Sequence, residues 1–345
     1  MSNVTLRDVA HAVGVHPSTV SRALDPKRSW TINEQTRQKI VQVAQELGYK
    51  TDTIASGLRR GRSETIGIVV PDLANPFYAP MIRGIENALE GRGIMALIAE
   101  TQEDRERMSK VFDHLASRRV DGVITAAARK GDETILRKVS ENFPVVLAVR
   151  SLERSGLPTI THDDELGGKL LAEYLVTLGH KRIAQLSGPQ DISSFVGRSH
   201  GFCTALTAAG IEVISLDECA ANPTIAEGKR LMQHLLTFVS PLPTAVFAHN
   251  DLMALGALEA LKAAGMRCPE DISLVGYNDS PQAAYTAPPL TTVRLPGYEL
   301  GRIAAELVVT LSEQPELVLQ NMSLPPLLVV RQSAAAPRAG SKSHQ

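Results

Sequence analysis

The sequence predicts an α/β protein in which an N-terminal three-helix headpiece of the helix-turn-helix type precedes two doubly wound parallel-sheet subdomains. Three observations predict it. Residues 5–24, TLRDVAHAVGVHPSTVSRAL, read as helix, tight turn, helix. From Thr65 onward, short and continuously apolar runs alternate with helical patterns in two successive series. Such strands are those of parallel sheets covered on both faces. Between the two regions lies a short segment rich in glycine and arginine, DTIASGLRRGRS. The expected organisation is a headpiece at 1–51, a hinge linker or helix at 52–63, a core at 64–336 and a disordered tail at 337–345. Within the core, one subdomain takes about 64–161 with 293–323 and the other takes 162–292 with 324–336.

In the headpiece, Thr5 is placed to cap the first helix, with Asp8 three residues on, a near match to a capping box. Leu6, Val9, Ala10 and Val13 recur at helical spacing and make one apolar stripe. Gly14 stands where a left-handed turn residue is needed. Pro17 suits the first turn of the second helix, where a missing N–H costs nothing. Val20 and Leu24 face back to the first helix, which leaves Ser18, Thr19, Ser21 and Arg22 outward. Small hydroxyl residues beside an arginine suit a helix that enters a major groove. The hydroxyls bond phosphates or base edges, and arginine takes guanine bidentately. Asn33 caps a third helix that runs through Leu47, with Ile40, Val43, Ala44 and Leu47 inward, and Gly48 stops it.

The linker is ambivalent. Ile54, Ala55, Leu58 and Arg59 fit a turn and a half of helix, but Gly57 and Gly61 each weaken it by roughly 1 kcal/mol relative to alanine. Composition leaves two readings open. One is a solvated linker; the other is a helix that folds when arginines meet phosphates and Leu58 finds an apolar site.

In the core the predicted strands are Ile66 to Val70, Ile94 to Ala99, Gly122 to Thr125, Pro144 to Val149, Ile183 to Ser187, Thr244 to Ala248 and Ile272 to Gly276. Helices are predicted between them at Phe77 to Gly91, Glu103 to Ser117, Asp132 to Glu141, Glu165 to Leu178, Ser194 to Ala209, Ile225 to Val239 and Leu252 to Ala264. Ligands of this architecture bind at the carboxyl ends of the strands, and the cleft between subdomains is the natural place. The strand ends supply suitable residues: Asp72, Asn75, Phe77 and Tyr78; Arg150; Arg198; His249, Asn250 and Asp251; Tyr277, Asn278 and Asp279. Bidentate polar groups beside an aromatic wall suit a small hydroxylated molecule. Asn250 and Asp251 serve equally well as helix caps.

Composition narrows the function further. The chain has 345 residues and a net charge of −1, so a nucleic-acid surface must be local, and Arg59, Arg60 and Arg62 crowd one segment. Three scattered cysteines give neither a disulfide framework nor a zinc site and fit a reducing cytoplasm. No signal peptide and no membrane-spanning run is expected. No GxSxG elbow, P-loop or GxGxxG follows a strand, so no enzyme and no cofactor is expected. His162, Asp163 and Asp164 adjoin one another but lack a metal-ligand spacing, and one of the aspartates is read as a helix cap.

The chain resembles the lactose-repressor (LacI/GalR) family of bacterial transcription regulators. The resemblance rests on TLRDVAHAVGV with STVSRAL, ELGY, ASGLRRGRS, IGIVVPDLANPFY, GHKRIAQLSG, HNDLMALGALEAL and PEDISLVGYND before PPLTTV, in that order over nearly the whole chain. It implies a cytoplasmic, homodimeric repressor that reads double-stranded, near-palindromic operator DNA under control of a small-molecule effector. By motif position the DNA contacts come from Thr5, His16, Pro17, Ser18, Thr19, Ser21, Arg22, Asn33, Leu58 and Arg59. Pro17, Ser18 and Arg22 are the base readers, and Leu58 wedges into the central minor-groove step. The effector contacts come from Asn75, Phe77, Tyr78, Arg150, Arg198, Asn250 and Asn278. The rival readings are a solute-binding transport protein, for which a secretory signal is required, and a corepressor-dependent regulator of nucleoside metabolism.

Five positions depart from the family pattern, and one of them, Pro17, cannot donate a base contact of the usual kind. His16 replaces the usual serine cap. Val149 and Asn278 stand where acidic residues are common in sugar-responsive members, and Pro223 stands near a usual aromatic wall. The polar ending SAAAPRAGSKSHQ carries no leucine-heptad helix of the kind that makes tetramers. Two arginines with those carboxylates missing shift the expected cleft toward a sugar acid or a sugar phosphate.

Overall fold

A computed structural model describes residues 4–24, 29–49, 62–317 and 321–338. It forms two compact units, Met1–Ser63 and Glu64–Gln345. The linker at 50–61, with Leu58 and Arg59, and the tail beyond Arg338 lie outside the described residues.

The first unit holds α1 (Leu6–Val13), α2 (Pro17–Ala23) and α3 (Glu34–Glu46). Thr5 and Asp8 form a complete capping box: Thr5 N–H donates to Asp8 Oδ2 at 2.7 Å, and Asp8 N–H donates to Thr5 Oγ1 at 3.4 Å. Gly14 closes α1 in the left-handed region at φ 78°. Val9, Ala10, Val20, Ala23, Ile40 and Ala44 form the buried centre where the three helices meet. The outward arrangement of Ser18 and Arg22 follows from this packing, because Val20 and Ala23 occupy the inward face of α2.

The second unit carries two parallel sheets. The first takes β1 (Thr65–Val70), β2 (Met95–Glu100), β3 (Gly122–Thr125), β4 (Val145–Ala148), β5 (Thr159–His162) and β11 (Met322–Leu324), in the order β11-β5-β4-β3-β1-β2. The second takes β6 (Ile183–Leu186), β7 (Val213–Ser215), β8 (Ala245–Ala248) and β9 (Ser273–Val275), in the order β7-β6-β8-β9. A short antiparallel pair joins β10 (Thr292–Arg294) to β12 (Leu327–Val329). The helices α4 (Tyr78–Glu90), α5 (Arg105–Ser117), α6 (Glu133–Ser140) and α11 (Gly297–Glu313) belong with the first sheet. Those of the second sheet are α7 (Asp164–Thr177), α8 (Ser193–Ala208), α9 (Ile225–Phe238) and α10 (Asp251–Ala263). Every residue of β3, β4, β6 and β8 is buried, as their uninterrupted apolar runs require.

The chain passes between the sheets three times: after β5, around β10 and after β11. Strands β5, β7 and β10–β12 and helix α11 go beyond the sequence reading. Their strands are only three or four residues long, too short for an alternation to register. The sequence reading missed helix α11, although Leu300, Ala304, Val308 and Leu311 recur at helical spacing and all are buried.

Candidate nucleic-acid interface and effector cleft

The headpiece presents its recognition surface on α2. His16 takes the N-cap position: its Nδ1 accepts the Ser18 N–H at 3.2 Å and lies 2.8 Å from Ser18 Oγ. The imidazole therefore supplies the cap that a serine supplies elsewhere. Ser18 and Arg22 are exposed, and Pro17, Thr19 and Ser21 are partly so. The Arg22 guanidinium lies back along the helix, its Nε donating to Ser18 O at 3.3 Å. That contact is weak and surface-exposed, so the guanidinium is free to swing to a base edge. Asn33 Oδ1 accepts the Gln35 N–H at 3.0 Å as the cap of α3.

In the core several of the strand-end residues pack against one another, Tyr78 beside Arg150 and Arg198 against the Tyr277 ring and the His249 carbonyl. Asn75 Oδ1 accepts the Phe77 N–H at 3.1 Å, which fixes the entry to α4. The Phe77 ring meets Tyr78 edge-on at 5.0 Å and His162 edge-on at 6.2 Å, and it packs against the cores of both sheets. Tyr78 is buried, and burial pushes its phenol pKa up against the pull of the neighbouring Arg150 charge. Arg150 enters through a γ-turn at the end of β4. Its N–H donates to Ala148 O at 2.7 Å across Val149, whose φ is 68°. That conformation is strained for a β-branched residue, and packing of the buried Val149 into the apolar core holds it there.

The premise for an anionic effector does not hold. Arg150 is already paired bidentately with Glu103, Nη1 to Oε2 at 3.0 Å and Nη2 to Oε1 at 2.6 Å. Arg198 donates from Nε to Asp164 Oδ1 at 2.8 Å and from Nη1 to the His249 carbonyl at 2.8 Å. Both guanidiniums are almost fully buried, so their charge is balanced inside the protein. The counter-charges come from Glu103 and Asp164. Sequence reasoning passed over both. Glu103 lies 47 residues from Arg150 and Asp164 lies 34 from Arg198, so no local spacing joins them. Asp72 and Asp279 are engaged elsewhere: Asp72 accepts the Ala74 N–H, and Asp279 binds Arg294 and Arg331.

Arg198 is also sandwiched by aromatic faces, its Cζ 4.0 Å from the Tyr277 ring centroid and 4.8 Å from that of Phe195. Close approach of α7 and α8 permits this. A Cβ on Gly168 would stand 2.1 Å from Arg198 O, and one on Gly201 would stand 1.9 Å from Glu165 O. Tyr277 in turn rests on Gly167, where a Cβ would come within 1.9 Å of its hydroxyl. Asp164 pays for its burial with a raised pKa, which the Arg198 charge opposes. Its neighbour Asp163 is the α7 cap, accepting the Leu166 N–H at 2.9 Å, as the sequence suggested for this pair.

Asn250 caps α10, its Oδ1 accepting the Met253 N–H at 2.7 Å, while its Nδ2 donates to Pro223 O at 3.0 Å. In this conformation both of its polar atoms are taken up by protein. Asn278 stands beyond β9 at φ 113°, and its buried Oδ1 has no partner. Across the mouth of the cleft the two halves touch. Lys130 N–H donates to Asp191 O at 2.8 Å, Arg129 Nε lies 3.2 Å from Asp191 Oδ2, and Ser151 N–H donates to Ser193 Oγ at 2.8 Å. Among the described residues no helix is long and apolar enough to cross a membrane, and no group of His, Cys, Asp and Glu is placed to hold a metal ion.

Residues 5–52 match the model of bacterial regulatory proteins of the lacI family, and residues 63–324 match that of periplasmic binding proteins and the sugar-binding domain of the LacI family. The ribose operon repressor of Escherichia coli strain K12 is 33% identical over 334 residues, which is 96% of this chain and 99% of that one. The transcriptional repressor CytR of the same strain is 33% identical over 306 residues, 88% of this chain and 89% of that one. Among solved structures, the lac repressor dimer bound to operator and the anti-inducer ONPF superposes with a TM-score of 0.86 at 29% identity, covering 97% of this chain and all of that one. A LacI family regulator from Enterococcus faecium with bound ribose superposes with a TM-score of 0.68 at 29% identity, covering 79% of this chain and 99% of that one. With both halves matched in order, and with relatives aligned from end to end, the chain belongs to the lacI family of bacterial regulatory proteins.

Proposed function

We propose that this protein is a transcriptional repressor that binds operator DNA as a homodimer through its headpiece, and that a neutral carbohydrate-type effector bound between the two sheets controls its DNA affinity. The observation that carries the effector reading is the internal neutralisation of Arg150 by Glu103 and of Arg198 by Asp164. With both charges balanced, a ligand carboxylate or phosphate would meet a site that already holds one anion per cation. The names of the relatives point the same way, since one is a ribose operon repressor and one neighbouring structure holds ribose.

Base reading is assigned to Ser18 and Arg22, with His16, Pro17, Thr19 and Ser21 beside them and Thr5 and Asn33 on phosphates. Leu58 is assigned the minor-groove wedge and Arg59 an adjacent phosphate. Support for a dimer comes from β2, which is the free edge of its sheet. Met95 and Ile98 on it are 70% and 37% exposed, and Leu73, bound through its N–H to Glu100 at the strand end, is 52% exposed. An apolar strand edge of this kind is ordinarily covered. The coupling is opening and closing of the cleft across the Arg129–Asp191 and Ser151–Ser193 contacts, which shifts the population competent to bind DNA.

The test is fluorescence anisotropy on operator fragments from upstream of the protein's own gene, with and without a neutral sugar panel. Sequence-specific binding that one neutral sugar changes supports the reading; binding to no fragment above the non-specific level overturns it.

A further inference from the structure

Among the described residues three histidines are buried in the core: His162, His180 and His249. Two are fully partnered. His180 has Nδ1 2.9 Å from Thr244 Oγ1 and Nε2 2.9 Å from Ala335 O. His249 accepts the Gly188 N–H at Nδ1, 3.1 Å away, and its Nε2 lies 3.1 Å from Gln185 Oε1. His162 has no hydrogen bond at either nitrogen, although it is only 3% exposed. A buried polar ring without partners is costly, and native structures keep such a group where something else completes it.

The place of His162 says what completes it. It is the last residue of β5, where the chain leaves the first sheet for the second. Its ring stands edge-on to Phe77, and it feels the positive charge of Arg198. Both are among the residues that the sequence assigns to the effector. Asn278, beyond the end of β9, likewise keeps a buried oxygen without a partner. We infer that His162 contacts the effector and sets its specificity, the imidazole bonding one hydroxyl of a neutral polyhydroxylated ring, either a free sugar or the ribose of a nucleoside. This rests on the reading of the cleft as the effector site.

The chemistry of the ring selects the ligand. A neutral imidazole offers one N–H donor and one lone-pair acceptor, and a hydroxyl is both donor and acceptor. A hydroxyl can therefore meet either ring nitrogen, whereas a carboxylate or phosphate oxygen, which only accepts, can meet only the N–H. The ring stays neutral at physiological pH, because burial, helped by Arg198, lowers its pKa to about 3. A site built around a hydrogen-bonded hydroxyl rejects an analogue that lacks it far more strongly than an apolar pocket does.

The experiment is calorimetry on the full-length protein with D-ribose, D-xylose, D-glucose, D-galactose, adenosine and cytidine, against D-ribose 5-phosphate and D-gluconate. The monodeoxy analogues of the tightest binder follow, with wild type, His162→Leu and His162→Gln compared throughout. Sugars and nucleosides form separate arms, so the source of the ring is decided together with the contact. The expected result is a neutral binder whose affinity falls about 10- to 100-fold in His162→Leu. One deoxy analogue should lose a similar factor on wild type and none on His162→Leu. His162→Gln, which keeps a donor and an acceptor, should recover part of the affinity. The melting temperature of unliganded His162→Leu should equal or exceed that of wild type, since an unpaired polar ring has been removed. Wild-type affinity of His162→Leu for the parent and every deoxy analogue overturns the inference. So does binding confined to the anionic members, or no binding by any neutral member at 10-millimolar order. A neutral ligand that meets the hydroxyl test but leaves operator anisotropy unchanged overturns effector control instead, and leaves the His162 contact standing.

Discussion

Arg198 on α8 and Asp164 on α7 form an almost fully buried ion pair, Nε to Oδ1 at 2.8 Å, at the point where the two helix backbones come closest. Its carboxylate is the first residue of α7, directly after His162 and the cap Asp163, and its guanidinium is clasped by Tyr277 and Phe195. One residue pair thus ties the end of the first sheet to the floor of the second.

Removing half of this pair should be far worse than removing both. Asp164→Asn leaves a buried guanidinium without its counter-charge and should destabilise the core by about 3–5 kcal/mol. Asp164→Asn combined with Arg198→Met should lose less than the sum of the two single changes. Denaturant unfolding of the four proteins measures the coupling, and strict additivity would show the two side chains to be independent.

Glu103 should govern the charge preference of the effector. Glu103→Gln keeps the shape of the Arg150 contact but leaves its positive charge unbalanced. Affinity for D-gluconate or D-ribose 5-phosphate should then rise relative to the matched neutral sugar by about tenfold, the order of one charge-assisted hydrogen bond. Calorimetry with the matched pairs reads the ratio, and an unchanged ratio would remove Glu103 from the selection.

Acid should destabilise the core partly through His162. Its pKa is pushed down to about 3 by burial first and by Arg198 second, whereas an unfolded histidine titrates near 6.5. Unfolding therefore takes up a proton at this ring between those values, so its share of stability is complete above pH 6.5 and is lost as pH falls toward 3. His162→Leu should lose less stability on acidification than wild type, by about 1.4 kcal/mol per pH unit between roughly pH 4 and 6. Parallel stability curves for the two proteins would contradict a neutral buried ring.

In the headpiece, Arg22→Ala should cost about 1–3 kcal/mol of operator affinity and relax one base position in each half-site. Competition with half-site variants reads this directly. An equal loss on every sequence, with a shallower salt dependence, would make Arg22 a phosphate contact.

The sequence alone determined whatever depends on local order. The capping box at Thr5 and Asp8, the glycine turn, the apolar faces of α1–α3 and the run of continuously apolar strands are short-range patterns, and one period of helix or strand suffices to read them. They carried the fold class and the headpiece. The His16 cap was less plain, because its imidazole does the work of a hydroxyl, and the Asn250 side chain, read equally as cap or contact, spends both its polar atoms on the protein. Only the tertiary structure decided how the cleft is charged. Arg150 finds Glu103 and Arg198 finds Asp164 because β-strand ends and a close helix crossing bring residues together across 47 and 34 positions of chain. The isolation of His162 is likewise a tertiary property. A sequence shows that a histidine is present, but whether its two nitrogens find partners depends on which side chains fill the space around it, and here neither nitrogen finds one.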